Sequence, residues 1–235
     1  MSSTPPLARH RSAEGRPGAA RPSEVAPAVR RDSISPLTVN RISVYLRCLK
    51  TLEARGVSRI SSHELAREFH LSSSGIRKDL AQFGEFGVRG VGYDVSALAG
   101  KLATLLRLDA EHRVVVVGMG NLGTALARFP AFNSGSFQVV AAIDSDPAKS
   151  GRRVGRLTIA TMSELDDQVR ATGATTAILA VPADAAQAAY DACVASGISA
   201  VLNFAPVSLR SRRGCRVKNV DLRIHLEELA FYLGD

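Results

Sequence analysis

The sequence predicts an α/β chain: an N-terminal winged helix-turn-helix, then a Rossmann-like doubly wound parallel sheet, then a last C-terminal helix. Three observations predict it. The stretch VVVVGMGNLGTALA, beginning at Val114, reads as strand, glycine turn and helix, the unit that opens a nucleotide-binding sheet. More than a hundred residues stand in front of it, enough for a separate small domain. The charge is also divided unequally. Residues 1–34 carry six Arg against three acids, residues 35–107 eleven Lys and Arg against six, and residues 108–235 thirteen against thirteen. The whole net charge of +8 therefore lies ahead of the glycine turn, which suits a front half that meets a polyanion and a back half that does not.

Composition narrows the class. With 235 residues and 46% hydrophobic content, the chain can bury two small cores between its tails. No apolar run approaches the roughly 20 residues needed to cross a bilayer, and the N-terminus has arginines but no hydrophobic core of a signal peptide. Cys48, Cys193 and Cys215 are odd in number and far apart, as expected of a cytoplasmic protein with reduced thiols. His10, His63, His70, His112 and His225 show no metal-ligand spacing, so no metal is expected.

The elements follow in order. Residues 1–34, rich in Pro, Ala, Ser, Gly and Arg without apolar period, read as an unordered basic tail. A domain over 35–108 follows. Ile42, Tyr45, Leu46, Leu49 and Leu52 recur at helical spacing up to Gly56. In RISSHELAREFHLSSSGIRKDLAQFG, Ser61 and Glu64 fit a capping box and Leu65, Ala66 and Phe69 form a buried stripe. After the turn HLSS, Ser72 or Ser73 can cap a second short helix with Ile76, Leu80 and Phe83 on its apolar face. This is helix-turn-helix grammar over about 45–84. FGEFGVRGVGYDV alternates Gly84, Gly87, Gly90 and Gly92 with apolar residues and reads as a β-hairpin, a wing over about 84–95. One more helix is expected at 96–108. Over 109–220, strands are expected at 113–118, 137–143, 175–181, 198–203 and near 216–220, with helices at 121–129, 162–172 and 183–196 between them. Residues 221–235 hold the last helix, at 222–233.

Candidate binding residues fall into two groups. Gly118, Gly120 and Gly123, with Met119, Asn121 and Leu122 between them, form G-x-G-x-x-G. The first glycine permits the turn, the second the approach of a pyrophosphate and the third helix–strand packing. Asp144, 21 residues after Gly123, suits a ribose diol and repels a 2′-phosphate, so NAD(H) is preferred, although Arg152 and Arg153 leave room for NADP. Val181, Pro182, Asn203 and Pro206, at the ends of later strands, are candidate walls for the nicotinamide half; packing of strand ends explains them equally well. In the front half, Arg59, Ser72, Ser73, Ser74, Arg77 and Lys78 suit phosphate and guanine contacts in a major groove, and Arg89 at the wing tip suits a minor groove.

Taken together, YLRCL, ISSHELA, IRKDLAQFGEFGVRGVGYDV, VGMGNLGTALA and LNFAP resemble the bacterial redox-sensing transcriptional repressor family Rex, from about residue 36 to 233. The resemblance implies a homodimer in which a winged helix precedes a Rossmann domain and the C-terminal helix is exchanged between subunits. It implies NAD(H) as cofactor, inverted-repeat operators in double-stranded DNA, and release from DNA by NADH but not by NAD⁺. It also implies a polar network that couples redox state to DNA binding, at Arg47, Tyr93 and Asp221, with Tyr93 beside the NADH-bound closed form. The chain departs from the family at Leu222, where a Phe can contact the nicotinamide region. An NAD-dependent dehydrogenase with an accessory domain is the alternative, but no Tyr-x-x-x-Lys pair is seen, and no enzyme activity is expected. A redox role for Cys48 stands as an open alternative to helix packing.

Overall fold

The computed structural model describes Met1 and residues 34–84, 86–87 and 91–233. Arg89 and all of the basic tail but its two ends lie outside the described residues. The chain divides into two units, Met1–Val95 and Ser96–Asp235.

The first unit begins with α1 (Pro36–Ala54). Pro36 sits where a helix needs no N–H, and Ser35 caps the end by accepting from the Leu37 N–H. Ile42, Tyr45, Leu49 and Leu52 make its buried face. After β1 (Arg59–Ile60), α2 (Ser62–Glu68) opens with the expected capping box: the Glu64 N–H donates to Ser61 Oγ and the Ser61 N–H to the Glu64 carboxylate. His70, left-handed at φ 54°, turns the chain into α3 (Ser73–Ala81), whose cap is Ser72. Leu65, Ile76 and Leu80 close this small core.

Of the expected wing over about 84–95, residues 85 and 88–90 lie outside the described residues. Its described strand is β2 (Tyr93–Asp94), which pairs antiparallel with β1, Ile60 opposite Tyr93 and Arg59 opposite Asp94. A Cβ on Gly92, at φ 81°, would stand 2.7 Å from the Ile60 carbonyl, so glycine lets this strand approach β1.

α4 (Val95–Leu105) spans the division, so most of the helix expected to end the front domain counts with the second unit. That unit continues with β3 (His112–Val117), α5 (Asn121–Arg128), β4 (Phe137–Asp144), β5 (Arg153–Val154), β6 (Leu157–Thr161), α6 (Leu165–Thr172), β7 (Thr176–Leu179), α7 (Ala183–Ala195), β8 (Ala200–Asn203), β9 (Arg216–Asn219) and α8 (Leu222–Phe231). The sheet order is β5-β6-β4-β3-β7-β8-β9, with every neighbouring pair parallel except β5 and β6. β5 and β6 were not expected. RVGRLTIAT is short and broken by Gly155, and sits at a sheet edge, where pairing depends on the neighbour more than on local pattern.

Alternation along β3 builds two cores. Val115 and Val117 pack with Leu165, Val169 and Tyr190 on one face; Val114 and Val116 pack with Met119, Ala127 and Ile159 on the other. Helices therefore cover both faces, as a doubly wound sheet requires. α8 is different, because none of its residues is buried.

Candidate dinucleotide and nucleic-acid sites

β3 lies between β4 and β7, so the strand order reverses beside it, and its C-terminal end is the switch point of the sheet. The glycine turn leaves from there. Gly118 has φ 93°, and a Cβ on it would lie 2.5 Å from the Ala180 carbonyl, so it lets the turn pass close to the end of β7. A Cβ on Gly123 would lie 1.7 Å from the Gly118 carbonyl, so α5 can pack on its strand only with glycine there. Gly120 differs from both. Its φ is −76°, and among the described residues, its two chain neighbours aside, nothing lies within 4 Å of a Cβ built on it. The fold needs Gly118 and Gly123; the space over Gly120 is left open. No side chain caps the start of α5, which begins with exposed Asn121 and Leu122. Open space above uncapped N–H groups at a switch point fits a pyrophosphate.

The other expected residues divide. Val181 and Pro182 continue from β7 beside Gly118, half-buried and exposed respectively. Pro206 is exposed just past β8. Met119 buries its side chain in the core and gives its N–H to Asp144 at 2.6 Å. Asp144 is itself buried. Its other contacts are the Asp146 N–H at 2.8 Å and Lys149 Nζ at 2.9 Å, so its first task is to tie the end of β4 to the glycine turn. Burial pushes this carboxyl up, and the Asp146 N–H, Lys149 and the Met119 N–H more than offset that, leaving it below the usual carboxylate range. Asn203 is fully buried. Its amide donates to the Val207 carbonyl at 2.9 Å and to Asn219 Oδ1 at 3.0 Å, and its oxygen accepts from the Ala205 N–H at 3.0 Å. It shapes the turn after β8 from the strand end expected to border the cofactor. Lys149 was missed in the sequence; its signal is a lysine five residues beyond a strand-end acid.

In the first unit, Ser72 Oγ accepts from the Gly75 N–H at 3.1 Å and bonds Ser74 Oγ, so it is the cap of α3. Ser73 is half-buried; Ser74, Arg77 and Lys78 are exposed on the same turns of α3. Arg77 donates to Ser62 Oγ at 3.0 Å, which links the two helices of the pair. A cleft of about 1310 Å³ opens between them, lined among others by Arg59, His63, Arg67, Arg77 and Tyr93. Three arginines on one concave face give it the sign a phosphate backbone requires. Arg67 was not anticipated.

Of the expected coupling residues, Arg47 is exposed on α1 and Tyr93 is buried on β2 with its hydroxyl pushed up by burial; Asp221, in the second unit, caps α8 by accepting from the Arg223 N–H. Cys48 is buried in the α1 face and its thiol is pushed up by burial, the character of a packing residue.

A buried polar cluster escaped the sequence altogether. Asp79 of α3 accepts from Arg41 Nε at 2.6 Å, from Arg41 Nη2 at 2.7 Å and from the Tyr45 hydroxyl at 2.9 Å. Arg41 holds this carboxyl below its usual range against the opposing effect of burial. The Tyr45 hydroxyl is pushed up to about 12, first by burial and then by Asp79. The signal in the sequence is an acid on the apolar stripe, one turn after Ile76.

The comparisons with known proteins fall on the same two units. Residues 33–81 match the family model "Putative DNA-binding protein N-terminus", and residues 109–207 match the CoA binding domain family. The redox-sensing transcriptional repressor Rex of Streptomyces avermitilis is 42% identical over 88% of this chain and 82% of that protein. The crystal structure of RSP in complex with beta-NAD+ and operator DNA is similar with a TM-score of 0.81 at 32% identity, covering 85% of this chain and 92% of that one. RSP in complex with beta-NADH gives 0.78 at 30%, covering 86% and 94%.

Proposed function

The chain belongs to the redox-sensing transcriptional repressor Rex family, and from that premise we propose that it is a DNA-binding repressor that reads the NADH/NAD⁺ ratio. The observation that carries the reading is Gly120: in a turn whose other two glycines are needed by the chain itself, this one has open space over it at the uncapped start of α5, where a pyrophosphate fits.

In this reading residues 35–108 bind DNA, 109–220 hold NAD(H) and 221–235 supply a helix exchanged in a homodimer. Ser74, Arg77, Lys78, Arg59 and Arg89 meet the operator, an inverted repeat in double-stranded DNA; Ser72 and Ser73 set the start of the helix that reads it. Gly118, Gly120, Asn121, Leu122 and Gly123 hold the pyrophosphate, Asp144 and Met119 brace that turn, and Val181, Pro182 and Pro206 border the nicotinamide half. NAD(H) supplies a ring that is cationic when oxidised and neutral when reduced, so the reduced form enters a dry pocket at lower cost. Arg47, Tyr93 and Asp221 carry that difference to the DNA-binding part. Exchange of α8 is supported by its lack of any buried residue within the protomer and by exposed Leu222, Leu226, Leu229 and Phe231. The dimer reads two half-sites a helical turn apart, a spacing sensitive to small movements of the recognition helices. The protein regulates and does not catalyse, and it acts in the cytoplasm; among the described residues no helix is long and apolar enough to cross a membrane.

The test is fluorescence anisotropy on a labelled duplex selected by the protein from a randomised library, titrated with NADH and then NAD⁺ at fixed salt. Release by NADH alone is the expected result. By linkage the same duplex must weaken NADH binding by the same factor. Tight DNA binding that ignores both nucleotides overturns the sensor, and oxidation of NADH on addition of 2-oxo acids overturns the assignment as a non-enzyme.

A further inference from the structure

We propose that Arg41, Tyr45 and Asp79 are positioning residues that fix the rotation of α3 about its own axis, and with it the direction in which Arg77 and Lys78 are presented to DNA. This rests on the DNA-binding reading above.

The apolar contacts of α3 do not set that angle alone. Ile76 and Leu80 form a short stripe, and such a stripe tolerates rotation because dispersion contacts have little direction. The Arg41–Asp79 pair is directional: two nearly parallel N–H···O bonds of 2.6 and 2.7 Å between a planar fork and a carboxylate. Tyr45 occupies the same carboxylate at 2.9 Å, and Arg41 Nη2 is held in turn by Thr38 Oγ1 at 3.2 Å. Arg41, Tyr45 and Thr38 all stand on α1, so the cluster locks α3 to α1.

The placement of Asp79 is not explained by the helix itself. It lies in the last turn of α3, where the macrodipole disfavours an anion, and it is only 2% exposed. An acid there gains only from its partners. At about 100° per residue, Lys78 lies about 100° and Arg77 about 200° around the helix from Asp79. Holding Asp79 against α1 therefore turns Arg77 to the opposite side of α3 and Lys78 to its flank, where both are exposed.

Arg41 is itself half-exposed, with 48% of its side chain accessible, so a direct phosphate contact by Arg41 is the competing role, and the test must separate the two. The full chain is used, with a duplex selected by the unsubstituted protein and a scrambled duplex of equal length. The variants are Asp79→Asn and the apolar triple Arg41→Met, Tyr45→Phe, Asp79→Leu, which keeps the volume buried without leaving an unpaired charge. Circular dichroism and thermal unfolding report folding. The expected result is a triple variant that folds, binds the scrambled duplex as the parent does with the same salt slope, and loses about tenfold to a hundredfold in preference for the selected duplex. Arg41→Lys alone, with Asp79 and Tyr45 in place, does not keep the parent's preference, because a single ammonium cannot replace the fork. A folded triple variant that keeps its preference overturns the proposal, because the cluster then serves stability alone. A salt slope smaller by about one on Arg41→Met alone overturns it in favour of a phosphate contact. If the unsubstituted protein selects no duplex, the DNA-binding reading itself has failed and takes the proposal with it.

Discussion

Asp79 and Asp144 are the two buried carboxylates among the described residues, and they are held in opposite ways. Asp79 is held by the side chains of another helix, with Arg41 standing 38 residues away. Asp144 is held by two backbone N–H groups, from Met119 and Asp146, and by Lys149 five residues on. The first is a cross-helix brace, whose loss frees one helix to turn against another. The second is a local knot, whose loss loosens the end of one strand and the turn beside it.

The comparison can be broken most forcefully at Asp79. Asp79→Ala leaves the buried Tyr45 hydroxyl without its acceptor and a guanidinium without its partner. Because that guanidinium reaches solvent, the cost sits at the low end for a broken buried pair, about 3 kcal/mol, to be read from urea unfolding. Its pH dependence follows from the sign of the shift. Both carboxyls are held below their ordinary values, so each contributes stability that is complete above the unfolded pKa of about 3.9 and is lost as pH falls through the lower folded value. The stability gap between parent and Asp79→Ala should therefore be flat from pH 5 to 8 and close only below about pH 4. A gap that widens toward acid contradicts this.

Asp144→Asn should cost less, about 2 kcal/mol, because the amide oxygen still accepts one N–H while the Lys149 pair is lost. NADH fluorescence should show weaker binding as the glycine turn loosens. Gly120→Ala should leave unfolding unchanged, since neither φ nor space opposes the methyl group, yet reduce NADH affinity about tenfold or more. Equal NADH affinity in that variant would remove the main support for a pyrophosphate over this turn. The smallest effect is expected at His70→Gly: relief of a left-handed residue, offset by glycine's greater entropy when unfolded, should raise stability by about 0.5 kcal/mol.

Legibility in the sequence followed the same division. Features built from near neighbours could be read: the spacing of Gly118, Gly120, Gly123 and Asp144, the Ser61–Glu64 capping box, and the helical stripes of α1, α2 and α3. Features made by distant partners could not. β5 and β6 exist through edge pairing, the β1–β2 pair joins Arg59 to Asp94, and Arg41 finds Asp79 only after α1 and α3 have packed. The partners of Asn203 are a further case. Its position at a strand end suggests a ligand wall, while its bonds to Ala205, Val207 and Asn219 could not be assigned from the local pattern.

The order of the sheet has a consequence for how the chain is made. β3 is the first strand of the sheet to be synthesised, yet it ends at the centre, and its second neighbour begins only at Thr176, the partner of Val114. At about 5–20 residues per second, a ribosome leaves that side of Val114–Val117 bare for roughly 3 to 12 seconds. A short β-branched strand with an open edge is the segment most prone to pair with the wrong chain. Slowed translation between Asp144 and Thr176 should therefore lower the yield of native protein, whereas the first unit, complete at Val95, is already past that hazard.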